Sequence, residues 1–504
     1  MISKHHILPP CVVALTMTAG CATVDPRPDF GLAAEHIGKA TGAEAVYRPG
    51  DEDIIPRKIE ELFRDGLTAE AAVQICLLNN PSLQAAFMEI GVARADLVQA
   101  GLLANPSLGI TTRLPSGGGL ANLNATLAQN IADLWQIPPR KRAAERSLDQ
   151  TILNLARQAA GLAAEAKAAY FQAVGAEERQ AIAQQNLEVA KTLLDLAQAR
   201  QQAGAATELD TNLSRSSVLG AELAVESARL ATADGRRRLA TILGLTTDAD
   251  GLVLLDPLPE VSSGLPDPER LIEVAMSSRL DLRAAEQAVA AAEARWLEQS
   301  RRVFPRIDVG LDLERAERKR QGKRDVLADT ARASIANGGL TAPEIQPRSA
   351  RRRHTELILG PSLELELPIF DQNQARIAKA RFVYEQADKT LDALERSVSQ
   401  EVRGTVDRLL TAWKVAQTYR DRSIPLAQNN LDLSRQAYQA GRASFLTVLE
   451  AQRVFLESRS RYVEAAQTAA VAIPELERTV GVPFRELTST IPAEPPPDSA
   501  SHQP

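Results

Sequence analysis

Asp308 and Asp312 alternate with Ile307, Val309, Leu311 and Leu313, and Glu364 and Glu366 alternate with Leu363, Leu365 and Leu367. With a side-chain period of two, each run puts its carboxylates on one face and an apolar row on the other. Such carboxylates do electrostatic rather than covalent work. Lining a water-filled passage, they either bias it toward cations or only keep its wall hydrated. Between the two runs lie Arg315, Arg318, Lys319, Arg320, Lys323 and Arg324 at one end and Arg348, Arg351, Arg352 and Arg353 at the other. Their charged groups either match lipid phosphates or simply solvate a loop at 314–354. Covalent chemistry is poorly provided for. Five histidines, three cysteines and four methionines in 504 residues show neither ligand spacing nor a nucleophile with its base. No metal, no cofactor and no enzymatic activity is expected.

The carboxylate runs are the second of two related hairpins. Earlier, Leu108, Ile110, Thr112 and Leu114 alternate with small or polar partners, Pro115 to Gly119 form a turn cluster, and Leu123, Ala125 and Leu127 alternate with Asn122, Asn124 and Thr126. Runs of about 9 to 11 residues that are apolar on one side match the staves of a membrane barrel. Four strands cannot close one, because the smallest barrels need about eight, so several chains must each contribute a share.

Long helices flank both hairpins. One is expected from about Pro139 to Ala203, with Ile182, Val189 and Leu196 seven apart, and a return helix from about Thr207 to Leu243. The second copy runs from about Asp267 through Val303, the second hairpin, a long helix to Ala440 and a return from Ser444 to about Val480, with a kink expected at Pro425. Gly204 and Gly441 lie 237 residues apart, as do Gly244 and Gly481, whereas Pro106 and Pro305 lie only 199 apart. The second copy therefore carries roughly 38 extra residues, and insertions of that kind sit in solvent-facing loops.

The net charge of −6 gives no groove of clustered cations for nucleic acid. Residues 1–20 read as an export signal, with Lys4 ahead of an apolar stretch from Ile7 to Ala19. Thr18-Ala19-Gly20-Cys21 resembles a bacterial lipobox, which implies a covalent lipid on Cys21. Thr18 stands where that motif usually has leucine, and an ordinary cleaved signal with an incidental thiol is the competing reading. After removal of Cys11, Cys76 has no partner for an internal disulfide. The organisation is then 21–66 a lipidated N-terminal segment of low signal, 67–257 and 258–486 two repeats, and 487–504 a Pro-rich disordered tail.

In order and in duplicate, these features resemble the TolC-type outer-membrane efflux proteins. The residues that carry the resemblance are Gly204/Thr207/Leu209 and Gly441/Ser444/Leu446, Tyr438-Gln439-Ala440-Gly441 with Val448-Leu449-Glu450-Ala451-Gln452, Ala100 to Pro106, and Leu367-Pro368-Ile369-Phe370-Asp371. Leu134-Trp135-Gln136-Ile137-Pro138 departs from the usual junction. The resemblance implies a mainly helical chain with membrane strands, built from a duplicated helix, hairpin and long helical hairpin. It implies a homotrimer whose β-barrel takes four strands per chain and continues as a periplasmic α-helical tunnel. It further implies an exit duct in outer-membrane lipid, with hairpin tips at Gly204 and Gly441 meeting a periplasmic adaptor that is bound to an inner-membrane pump.

From the residues themselves, Gly204 and Gly441 are either plain helix-ending glycines or docking tips, and Thr207 and Ser444 suit helix caps. Glu208, Asp210 and Arg442 could pair between chains to gate the closed end, where several exposed pairs of about 0 to 1 kcal/mol each would have to act together. A coiled-coil tether anchored to the outer membrane, without a pore, is the alternative function. It leaves two amphipathic hairpins without a purpose.

Overall fold

Prolines, glycines and capping hydroxyls divide this chain into the segments seen in a computed structural model, which describes residues 22–114, 121–246, 251–260, 267–303, 306–318, 326–340 and 354–489. In chain order the elements are α1 (Arg27–Thr41), α2 (Ile55–Phe63), α3 (Ala69–Asn79), α4 (Pro81–Ala100), β1 (Ser107–Arg113), β2 (Asn122–Asn130), α5 (Asp133–Gln202) and α6 (Glu208–Ile242). They continue with α7 (Pro268–Ser278), α8 (Leu280–Arg301), β3 (Ile307–Arg318), α9 (Val326–Ala336), β4 (His354–Leu365), α10 (Gln374–Thr418), α11 (Ile424–Gln439), α12 (Phe445–Val480) and α13 (Phe484–Ser489). None of the described helices is long and apolar enough to cross a membrane.

Two compact units result, and each draws on both sequence copies. Among the described residues, one is drawn from 1–98, 144–291 and 385–504, the other from 99–143 and 292–384. The first is a helical assembly whose cores are dominated by alanine and leucine. Tyr170, Leu67, Ile75 and Leu239 are fully buried in one cluster, and Val402, Leu409, Leu271 and Leu476 in another. Small residues let the long helices approach closely. A Cβ on Gly235 would sit 3.3 Å from the Ala173 Cα.

The duplication is visible in the hydrogen bonding of this unit. Asn80, between α3 and α4, donates from its side chain to the Ile242 carbonyl at 2.8 Å. At the equivalent place between α7 and α8, Arg279 donates to the Thr479 carbonyl at 3.3 Å. Each elbow also receives a left-handed glycine. Gly244 (φ +68°) presses on the Asn79 carbonyl and Gly481 (φ +87°) on that of Ser278. The second elbow has become ionic. Arg279, 5% exposed, holds Asp281 at 2.7 and 3.0 Å and Glu401 at 2.7 Å. Burial alone would lower the Arg279 pKa and raise that of Asp281. The pairing outweighs burial at both, so Arg279 is raised and Asp281 lowered.

Several boundaries depart from the sequence reading. The 22–66 segment contains α1 and α2, with Phe30, Ile37 and Tyr47 buried and the Phe30 and Tyr47 rings edge-on to Phe87 at 6.2 and 5.4 Å. Pro139, expected to open the long helix, lies with Pro138 inside the first two turns of α5, which spans 70 residues or about 105 Å. Just ahead of Pro425, where a kink is expected, the helix passes through a π-turn at Tyr419–Ser423 immediately before α11. That wider turn makes room for a ring that would clash with the preceding carbonyl. Thr68 caps α3 by accepting from the Ala71 amide at 3.1 Å, as expected.

The other unit holds the strands. All pair antiparallel in the order β1-β2-β3-β4, joining the hairpins of the two copies edge to edge through β2 and β3.

Candidate conduit wall and helical tips

Register sorts the sheet into two faces. Asp308 lies opposite Glu364, Gly310 opposite Ser362 and Asp312 opposite Gly360 across β3 and β4. Thr126 and Asn124 on β2 continue that face beside Asp312 and Glu314, as do Gly109 and Thr111 on β1. The opposite face carries Leu108 and Ile110, Leu123 and Leu127, Val309, Leu311 and Leu313, and Leu357, Leu359, Leu363 and Leu365. In one chain these side chains stand largely bare, with Leu363 at 70% exposure. Moving each from water into hydrocarbon is worth about 1.5–3 kcal/mol.

Three of the four expected carboxylates therefore share a strand face. Glu366 lies one residue beyond the end of β4, yet its amide still donates to the Arg306 carbonyl at 3.3 Å, so the ladder and its parity continue. Two partners were missed from sequence. The Arg306 guanidinium forms an ion pair with Asp308, which is only 4% exposed, and Glu314 adds a carboxylate on the same side. An arginine two residues ahead of an aspartate in an extended run is the pattern that would have revealed the pair. Gly310 is required where it stands, because a Cβ there would meet the Leu127 carbonyl oxygen at 2.5 Å.

At the helical tips, Gly204 (φ +65°) and Gly441 (φ +70°) both adopt the left-handed conformation, closing α5 and α11 before the return helices. Thr207 accepts from the Asp210 amide at 3.2 Å, and the Asp210 carboxylate accepts from the Thr207 amide at 3.0 Å and hydroxyl at 2.9 Å. This reciprocal cap satisfies the exposed start of α6. Ser444 caps α12 through the Thr447 amide at 3.4 Å. Leu209 and Leu446, the paired apolar tip residues, are 65% and 63% exposed. Of the expected gate residues, Asp210 is committed to the cap, while Glu208 and Arg442 stand exposed.

The residue that joins the two tips was not foreseen. Arg200, near the end of α5, donates through Nη1 to the carbonyls of Tyr438 (2.6 Å) and Gln439 (3.1 Å) at the end of α11. Its Nη2 donates to the Ala205 carbonyl in its own turn at 3.3 Å. Its guanidinium lies 4.5 Å from the centre of the Tyr438 ring, which packs edge-on against Phe445. A cation at a helix C-terminus is favoured by unpaired carbonyls and by the helix dipole. Leu193, Leu431 and Val448 complete a small core around this clasp, and burial there raises the Tyr438 pKa. Beside it, α11 and α12 frame a groove of about 550 Å³ lined in part by Asn430, Ser434, Ser444, Leu446 and Glu450.

Cys21 and the basic stretches 319–324 and 348–353 lie outside the described residues, as do residues 490–504 of the Pro-rich tail. Cys76 is a buried free thiol whose pKa is pushed up to about 12 by burial, with a contribution from Glu165.

A sheet that is apolar on one face and carboxylate-bearing on the other, in a chain otherwise built of long helical hairpins, defines a subunit of an outer-membrane channel. The sequence profile of the outer membrane efflux protein family matches residues 72–245 and 271–482; the chain belongs to that family. It is an outer-membrane efflux protein extending into the periplasm, not an enzyme. It is 26% identical over 431 residues to the cobalt-zinc-cadmium resistance protein CzcC of Cupriavidus metallidurans, covering 82% of this chain and 90% of that one. It is 25% identical over 436 residues to the pyoverdine export outer membrane protein OpmQ of Pseudomonas putida, covering 81% and 83%. Among solved structures, the outer-membrane channel OprN superposes with a TM-score of 0.64 at 21% identity, covering 88% of this chain and 95% of that one. CusC gives 0.65 at 16% identity, with 82% and 92% covered.

Proposed function

We propose that this chain is the exit duct of a tripartite efflux assembly, passively conducting what an inner-membrane pump and a periplasmic adaptor deliver. The observation that carries the reading is the incomplete sheet. β1 and β4 end the strand order without partners among the described residues, and its apolar face is left to solvent. Three copies giving four strands each would supply twelve, enough to close a barrel that four cannot. In that homotrimer the carboxylate face becomes the lumen, with Asp308, Asp312, Glu364 and Glu366 repeated around it, and the helices continue as a tunnel. A lipid on Cys21 would add an anchor in the outer membrane.

Leu209 and Leu446, held out by capped tips, and the groove beside Leu446 are the surface we assign to the adaptor. Relatives named for metal resistance and for pyoverdine export share this architecture, so we assign the choice of cargo to the pump. A pore-free tether would not need an amphipathic sheet. Purified protein should migrate in detergent as a trimer and give discrete conductance steps in planar bilayers. A water-soluble monomer that leaves bilayers silent ends this reading.

A further inference from the structure

The loop inserted between β3 and β4 carries an element of its own. Helix α9 closes on a glycine reversal. Gly338 is left-handed at φ +65°, its amide donates to the Ile335 carbonyl at 3.3 Å, and the Gly339 amide donates to that of Ser334 at 3.2 Å. This pair of bonds is the common stop of a helix encoded by its own sequence. Leu327, Ala331 and Ile335 recur every four residues, an apolar stripe of helical period with Arg332 next in sequence to it. Yet α9 has little to pack on. Ala331, Arg332, Ala333, Ile335 and Ala336 are all exposed, Ile335 at 82%, and Leu340 after the reversal is fully bare. A helix of 11 residues is marginal in water by itself, so its support has to come from beyond the described residues.

Charge and depth identify that support. Residues 319–353, the whole connection between β3 and β4, hold nine basic and three acidic residues, a net charge of +6 in a chain whose total is −6. Several such loops around one barrel repel one another, which disfavours packing α9 against its copies and favours an anionic surface. A lipid surface lies within reach. On β3 the outward row of Val309, Leu311 and Leu313 is followed by Arg315, exposed and beside Leu123 and Leu357 on the same face. A cation there can lay its stem along hydrocarbon while its head sits among headgroups, so Arg315 marks the outer edge of the apolar band. β3 ends three residues later at Arg318, and the seven residues from there to α9 span at most about 25 Å. That length lets α9 return to the membrane surface beside the barrel.

We propose that α9 is a brace laid flat on the outer leaflet, with Ile335 and Leu340 in the headgroup boundary and Arg332 and Arg315 on the phosphates of lipopolysaccharide. A short helix with an apolar stripe and cations beside it is held in such a plane by buried apolar area together with attraction to anionic lipid. Guanidinium and phosphate match as forked partners, so the contact is directional as well as electrostatic. The brace ties the rim of the sheet to the phosphate layer outside it. It rests on the proposal that the sheet's apolar face meets lipid, and the test separates the two.

A fluorophore that brightens in apolar surroundings is attached singly at Ile335→Cys, Leu340→Cys, Leu363→Cys and Glu364→Cys in the full chain. Cys76 is replaced by alanine, and each signal is read against the same chain without the added cysteine. The protein is placed in nanodiscs of phosphatidylcholine alone or of phosphatidylcholine with lipopolysaccharide. Position 363 should be bright and position 364 dim in both. Positions 335 and 340 should brighten several-fold when lipopolysaccharide is present, and Arg315→Gln with Arg332→Gln should remove at least half of that gain. If 363 is as dim as 364, the lipid-facing reading of the sheet falls and takes the brace with it. If 363 is bright while 335 and 340 stay dim in both discs, the helix stands in water and the brace alone is overturned. Equal brightness at 335 and 340 in both discs, as packing on a neighbouring subunit would give, overturns it too, as does a gain that survives the double variant intact.

Discussion

Replacing Arg200 with alanine should loosen the joined tips. A net hydrogen bond from a charged donor is worth about 1.5–3 kcal/mol, and a guanidinium over an aromatic ring about 0.5–1 kcal/mol where solvent has access. Of the three bonds from Arg200, only that to the Tyr438 carbonyl, at 2.6 Å, is short. The Arg200 Nε is buried without a partner, a cost that the substitution removes. Weighing the short bond, two weaker ones and the ring contact against that relief gives about 2–3 kcal/mol of coupling, or roughly 30- to 150-fold in the local opening equilibrium. Hydrogen exchange reads this directly. Amides around 200–210 and 436–447 should exchange faster by that factor in Arg200→Ala, with the core around Tyr170 unchanged. Arg200→Lys should recover less than half of the loss, because an ammonium cannot reach carbonyls on both turns in the fixed geometry of a fork. If Arg200→Ala leaves tip exchange as it was, the clasp contributes nothing and the reasoning fails.

The buried Tyr438 hydroxyl also lacks a partner, so Tyr438→Phe should leave thermal stability unchanged or raise it slightly, as a melting curve in detergent would register. Gly204→Ala should cost about 1–2 kcal/mol for its left-handed backbone alone. Gly244→Ala should cost at least about 3 kcal/mol, because its new Cβ would also lie 2.6 Å from the Asn79 carbonyl oxygen; the difference appears in denaturant midpoints. Asp281 has a folded pKa below its unfolded value. Its stabilising contribution is complete above about pH 4 and lost as pH falls through the folded value, so Asp281→Asn should flatten acid unfolding below about pH 4. Glu364→Gln with Glu366→Gln should reduce cation preference in single-channel recordings if the lining selects ions, and an unchanged preference assigns those carboxylates to hydration alone.

The sequence was most legible where one physical requirement dominated. The strands announce themselves because an apolar face and a wet face impose strict alternation, and Gly204, Thr207, Gly441 and Ser444 because a sharp helix reversal needs a left-handed residue followed by a cap. Features that depend on distant partners were hidden. The helices at Arg27–Thr41 and Ile55–Phe63 are short, open without a side-chain cap, and gain burial by packing on Phe87 and its neighbours. Arg200 looks like any arginine on a polar helix until Tyr438, 238 residues away, is seen beside it. Arg279 gives no sign that it stands where Asn80 stands in the first copy, since all the two side chains have in common is a bond to the corresponding carbonyl of each copy, Ile242 and Thr479. The π-turn shows why Pro425 does not simply end its helix. The cap role of Asp210 was also missed, although a carboxylate three residues after Thr207 is the pattern of a reciprocal cap.

The two elbows differ in a way that matters beyond either one. Asn80 is indifferent to acid and salt, whereas the pair of Arg279 and Asp281 weakens under both. Within one molecule, then, a drop in pH or a rise in ionic strength slackens one joint and spares its twin. Each chain thus pairs a stiff joint with a yielding one, an in-built unevenness of response that a perfectly repeated sequence would lack.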